Sequence, residues 1–217
     1  MRCAFRGVRV GPFANLDLAV GAGEALVLTG RRGLGKHRLL QVALGVSRPD
    51  AGEVWLFGVP LAGTDARARE ALRARCGYAP SRGALISNLS VADNVALPLR
   101  YHARAEEADV GERVHAALAA LGVAGLANER PAALAASELR LVSLARVAAT
   151  APDFAVLEDP YEGLEDSAAD GVHAVLRGLL ASGCGLLVTT SAARLDTSFG
   201  GRLRNLPALT VRDLEAA

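Results

Sequence analysis

The sequence predicts an α/β fold built on a mostly parallel sheet, and three observations carry that expectation. Short apolar runs alternate with segments of helical periodicity along most of the 217 residues. The run Ala25–Thr29 is apolar almost throughout and bounded by glycines, as in a strand buried on both faces. That run leads into a glycine-rich loop and then a helical segment, the order of a phosphate-binding strand–loop–helix unit.

Leu16, Leu18 and Val20 alternate with polar or small residues, so the chain opens on antiparallel strands before turning at Gly21-Ala22-Gly23. From Lys36 the pattern is helical, with Leu40, Ala43 and Leu44 on one face. Pro49-Asp50-Ala51-Gly52 is a turn leading into a strand over 53–57. A charged helix over 65–75, a short strand Cys76–Ala79 and a helix N-capped by Ser90 follow. Apolar residues recur at helical spacing over 106–121, stopping at Gly122, and again over 134–149. The chain ends with a strand over 154–157, a helix over 167–180, the strand Gly185–Thr189 and a short strand near Leu203. Strands separated by helices imply ligand binding at the carboxyl ends of a parallel sheet.

Composition excludes several functions. Lys+Arg 24 against Asp+Glu 23 gives a net charge of +1, too little for a general nucleic-acid or acidic-membrane binder. Cys3, Cys76 and Cys184 lie far apart without metal-ligand spacing, as expected of a reducing compartment. The first residues lack the long apolar stretch of a secretory signal, and no apolar run approaches the ~20 residues of a membrane span. A cytoplasmic chain is expected. Among the basic residues Lys36 is the sole lysine.

That lysine closes the run Gly30-Arg31-Arg32-Gly33-Leu34-Gly35-Lys36, followed by His37 and Arg38. Glycines let backbone N–H groups wrap an anion, the helix start adds partial positive charge, and the lysine reaches the outer phosphates. Residues 30–38 are therefore the candidate nucleotide-binding residues, with ATP the expected ligand. His37 stands where such a loop supplies a hydroxyl to Mg²⁺, and imidazole poorly suits that hard cation. No confident protein ligand for Mg²⁺ emerges.

With this loop in place, the chain resembles the nucleotide-binding subunit of an ATP-binding cassette (ABC) transporter over almost its whole length. Cys76-Gly77-Tyr78-Ala79-Pro80-Ser81 and the stretch from Leu85 to Leu99 are similar to the Q-loop and the helix behind it. Leu144-Ala145-Arg146 through Glu158-Asp159-Pro160 is similar to the helix after the signature motif running into Walker B, and Glu162-Gly163-Leu164-Glu165 to the D-loop. The resemblance implies a P-loop NTPase fold: one domain over 1–217, with a helical subdomain about 82–150. It further implies a transmembrane permease and a second nucleotide-binding subunit as partners, no nucleic acid, and a place on the inner face of the cell membrane. The stretch Asn94 to His102 and Pro160 to Leu164 resembles ATPases of Mce/Mla-type lipid transport systems.

The same resemblance assigns candidate catalytic positions and shows them altered. Ser81 replaces the Q-loop glutamine, and Leu134-Ala135-Ala136-Ser137-Glu138 replaces L-S-G-G-Q. Glu158 stands in the place of the metal-water aspartate, where it could reach a metal through water, and Asp159 in the place of the water-polarising glutamate. Thr190 occupies the switch-histidine position. Phe5 and Phe13 are candidates for the adenine-stacking aromatic, with core packing the plainer expectation. Three readings follow: an ATP-binding transporter subunit with weak or no hydrolysis, which five altered sites favour; an active transport ATPase; and a P-loop small-molecule kinase, which the Walker B and D-loop order disfavours.

Overall fold

The computed structural model describes residues 1–102, 105–191, 193 and 198–215. Strands β1 (Cys3–Val10) and β2 (Phe13–Val20) form an antiparallel pair, and β3 (Ala25–Thr29) leads to helix α1 (Lys36–Ala43). Strands β4 (Ala51–Leu56) and β5 (Val59–Pro60), helix α2 (Ala66–Arg73) and strand β6 (Cys76–Ala79) come next. Helices α3 (Val91–Tyr101), α4 (Glu107–Ala120) and α5 (Ala136–Thr150) pack on one another. The chain finishes with β7 (Phe154–Glu158), α6 (Asp166–Ala181), β8 (Gly185–Thr189), α7 (Ser198–Arg204) and β9 (Leu209–Asp213).

The described strands form an antiparallel sheet in the order β2-β1-β4-β5 and a parallel sheet in the order β6-β7-β8-β3-β9. Helix α1 lies between the sheets, with Leu39, Leu40, Val42 and Ala43 all buried. Alternate residues of the parallel strands divide between two cores. Leu26, Leu28 and Val156 face α1 and the antiparallel sheet, whereas Val27, Leu157 and Val188 face the helices. Burial on both faces explains why these strands read as continuous apolar runs. Gly52 sets the contact of β4 with β1, because a Cβ there would lie 2.3 Å from the Gly7 carbonyl oxygen.

Capping fixes the helix starts. Asp65 Oδ1 accepts from the Ala68 amide at 2.8 Å, and Ser90 Oγ accepts from the Asp93 amide at 3.1 Å. Such caps contribute ~1 kcal/mol each. Asn94, fully buried, accepts from the Ile86 amide at 2.7 Å and donates to the Ile86 and Ser90 carbonyls, pinning the loop between β6 and α3.

One expected element is corrected. Leu203 lies in helix α7, and the last strand is β9, six residues further on. Leu203 and Leu206 are buried at a spacing of three, the mark of a helical turn, while β9 is an edge strand whose residues are mostly exposed.

Candidate functional site

The glycine-rich loop leaves β3 at its carboxyl end and delivers the chain to α1 through Gly35, whose φ of 91° is left-handed. A side chain would strain that position. The first turn of α1 is Lys36-His37-Arg38, and no described side chain caps its amides. The Arg38 amide donates to the Gly35 carbonyl at 2.9 Å, so the Lys36 and His37 amides and the helix dipole remain to receive an anion. Lys36 Nζ donates to the loop's own carbonyls, to Gly30 at 2.5 Å and Arg31 at 2.9 Å. Partial burial lowers the Lys36 pKa below its ordinary value; the Asp159 and Glu215 carboxylates oppose that shift and Arg32 adds to it.

A cleft of about 270 Å³ opens over this turn. Residues 32–37 form one wall, and Glu158, Asp159 and Thr189 form the other. Glu158 ends β7 and is held toward the neighbouring strand. Its Oε1 accepts from the Tyr78 hydroxyl at 2.5 Å, and its Oε2 from the Ser81 amide at 3.4 Å. Burial, first, and the Glu158 carboxylate push the Tyr78 hydroxyl pKa well above its ordinary value, so it stays a donor. Asp159 has left-handed backbone, φ 44°, and its amide donates to the Thr189 carbonyl at 2.9 Å. The two adjacent carboxylates act differently: Glu158 is bonded toward β6, and Asp159, across the cleft, opposes the lowering of the Lys36 pKa by burial.

An arginine–glutamate chain closes the end of the cleft. Arg32 pairs with the Glu162 carboxylate; the buried Arg140 of α5 reaches the Glu162 backbone carbonyl and donates to the Ser81 carbonyl at 2.7 Å. Arg140 thus ties together the segments that follow β6 and β7. At the other end, the Arg31 amide donates to Glu215 Oε1 at 2.8 Å.

The sequence-derived candidates do not all converge. Arg32, Gly33, Leu34, Gly35, Lys36, His37, Glu158 and Asp159 line the cleft. Ser81 contributes backbone groups at its edge. Arg38 points elsewhere: its guanidinium binds Asp50 Oδ1 at 2.7 Å, and Asp50 also accepts from the Gly11 amide. Arg31 and Gly30 lie against Glu215. Thr190 is buried and lines a separate small cavity beside Asp159 and Leu203, while its neighbour Thr189 faces the cleft. Phe5 and Phe13 are both buried in the core beside α1, which takes them out of any stacking role.

Residues 134–138 stand apart from the cleft and start α5. There Glu138 Oε2 accepts from the Ala135 amide at 2.7 Å, folding its carboxylate onto the start of its own helix. Neither Ala135 nor Ala136 has a polar side chain, so the acid of the third helical residue supplies the cap.

Sequence reasoning missed Tyr78, Arg140 and Glu215 beside this site, and read Glu162 only as part of the D-loop-like segment. Tyr78 was findable through register. It pairs with Val156 across β6 and β7, and two residues on, the same face carries Glu158, within reach of a long side chain. Glu215 gave no such signal, because its contact depends on β9 lying beside β3.

The loop fits a polyphosphate: its donors are backbone amides, and Lys36 is within reach of the same space. ABC ATPase domains bind ATP, and residues 32–37 would hold the phosphates here. Mg²⁺ fits less well. His37 replaces the hydroxyl, both Glu158 oxygens already accept hydrogen bonds, and no cluster of three His, Cys, Asp or Glu residues suited to a metal occurs among the described residues. No helix among the described residues is long and apolar enough to cross a membrane.

Comparisons with known proteins agree with this geometry. The family described as ABC transporter matches residues 13–162. The lipoprotein-releasing system ATP-binding protein LolD of Paramagnetospirillum magneticum is 34% identical, over 84% of this chain and 82% of LolD. The methionine import ATP-binding protein MetN 2 of Paraburkholderia xenovorans is 32% identical over 80% of this chain, which spans 45% of that protein. The intermembrane phospholipid transport system ATP-binding protein MlaF of Haemophilus influenzae is 34% identical, over 77% of this chain and 62% of MlaF. A bacterial ABC transporter cassette solved as a dimer superposes with a TM-score of 0.84 at 20% identity, covering 98% of this chain and 94% of the other. A cassette dimer in a post-hydrolysis state bound to ADP and phosphate gives a TM-score of 0.78 at 22% identity, covering 87% of each chain. The fold is that of the ABC cassette, and the chain belongs to the ABC transporter family as an ATP-binding domain.

Proposed function

We propose that this chain binds ATP as the nucleotide-binding subunit of a membrane transporter and turns it over weakly or not at all. The observation that carries the reading is the contrast across the cleft. The phosphate wall offers the uncapped start of α1 and Lys36, while the opposite wall holds Glu158 on Tyr78 and Ser81. Inverting the carboxylates lengthens one arm and shortens the other by a methylene, and a misplacement of about 1 Å costs ~10²-fold in rate. His37 withholds the hydroxyl ligand for Mg²⁺, and Thr190 lines another cavity rather than the cleft. Within this reading Asp159 is the carboxylate nearest to a water-positioning role, Glu158 and Ser81 border it, and residues 32–37 hold the phosphates.

The partners in this reading are a transmembrane permease and a second nucleotide-binding subunit, a copy of this chain or an intact one. That places the chain at the cytoplasmic face of a membrane, as one domain with its helical part about 82–150. A lipid cargo is the finest part of the proposal. LolD and MlaF, relatives named for lipoprotein release and phospholipid transport, support it at 34% identity, against 32% for MetN 2, which is named for methionine import.

The test is a calorimetric titration of the full chain with ATP, with and without Mg²⁺, alongside phosphate release alone and with its permease. Saturable ATP binding with phosphate release at background is expected. Turnover that vanishes in Lys36→Ala would establish the active-ATPase reading instead, and absence of ATP binding would end both.

A further inference from the structure

A second cavity lies away from the phosphate loop, beneath the far end of α1. It measures about 490 Å³, within the span of small-molecule pockets, roughly 300–1,000 Å³. Its apolar floor is made by Val42 of α1, Val54 of β4 and Leu61. Its polar side chains are Ser47, Arg48, Arg69 on α2, and Thr64, whose hydroxyl donates to the Pro60 carbonyl. Two of their atoms, Ser47 Oγ and Arg69 Nε, are buried and make no hydrogen bond to the described residues. Buried polar atoms are nearly always paired, and the Nε edge of an arginine is built to meet an oxyanion.

Charge completes the pattern. The lining carries two guanidinium groups and no carboxylate. The acids closest in sequence are engaged elsewhere: Asp50 with Arg38 and Gly11, Glu53 with Trp55, Asp65 with the start of α2, and Glu70 with Tyr101. The carbonyl of Gly45 past the end of α1, which would repel an anion, accepts from Arg73.

We infer that this cavity is a second binding site, for a small organic anion whose oxyanion group meets Arg69 and Ser47 and whose apolar body lies on Val42, Val54 and Leu61. Arg48, exposed at the rim, attracts the ligand from solvent. The site is separate from the proposed nucleotide cleft and does not depend on that reading.

The experiment is isothermal titration of the full chain with octanoate and with phenyl phosphate, using octanol and inorganic phosphate as partial ligands. At least one of the two anions binds saturably with Kd below about 1 mM, and its partial ligand binds at least about tenfold more weakly. Which anion wins tells a carboxylate ligand from a phosphate ester. Arg69→Gln weakens binding about tenfold or more, Arg48→Gln about threefold, and Leu61→Trp blocks it by filling the floor, while Lys36→Ala leaves it unchanged. Arg48 is on the surface, so its variant reports even where an interior substitution unfolds the chain. A cavity that holds solvent only, with neither anion saturating, overturns the proposal. So does binding that survives Arg48→Gln and Arg69→Gln undiminished, or binding lost in Lys36→Ala.

Discussion

Two helix starts in this molecule answer the same electrostatic problem in opposite ways. At α1 the first turn carries lysine, histidine and arginine, Gly35 leads in through left-handed backbone, and no described side chain covers the amides. At α5 the third helical residue, Glu138, bends back and covers the Ala135 amide at 2.7 Å. Each start concentrates partial positive charge. The first leaves that charge for an outside anion, and the second neutralises it with its own carboxylate. The self-capped start is the one in the segment that resembles the signature motif.

Substitutions at the two starts test that contrast, the strongest effect coming at α1. Lys36→Ala is expected to weaken ATP binding by about a hundredfold, the loss of ~3 kcal/mol for a charge-assisted contact, measured by titration calorimetry. Equal binding in the variant would mean that α1 receives no phosphate. Tyr78→Phe removes the donor on Glu158 and is expected to cost ~1–2 kcal/mol in denaturant unfolding, with ATP affinity within about twofold of the parent. A large loss of ATP affinity instead would place Glu158 among the phosphate-side groups.

Glu138→Ala uncaps α5 and is expected to cost about 1 kcal/mol of stability, while Glu138→Gln, which keeps an acceptor, costs less. Identical unfolding midpoints for all three proteins would show the cap to be idle. The smallest effect is in pH. Burial lowers the Lys36 pKa from 10.5, and phosphate binding favours the charged form. ATP affinity is therefore full below the lowered pKa and declines as pH rises through it, earlier than an ordinary lysine requires. A decline that begins at lower pH than an ordinary lysine would give, absent from Lys36→Ala, is the expected titration result.

Much of this architecture was legible because local chemistry carried it. The strand Ala25–Thr29, the loop after it and the cap at Ser90 each depend on residues close in sequence, and each stands where periodicity and turn chemistry placed it. The last strand was misplaced because its neighbours, not its own pattern, make it a strand: β9 is an edge, and Leu203 before it packs as part of a helix. The site divided in the same way. Residues 32–37 share one loop and were found together, whereas Tyr78, Arg140, Glu162 and Glu215 reach the residues in and beside its walls only through strand register and helix packing. Arg38 shows the converse, since a helix turns each successive residue by 100°, and that rotation carries its guanidinium to Asp50.

The place of β3 in its sheet also bears on how the chain is made. β3 bears the phosphate loop, yet it pairs with β8 at Leu186 and with β9 at Leu209, and the Arg31 amide waits for Glu215. During synthesis β3 emerges long before either neighbour, so its apolar edges stay open until β8 and β9 have been made. Pairings so distant in sequence are slow to close. The nucleotide loop, translated well before β8 and β9, is completed only after them.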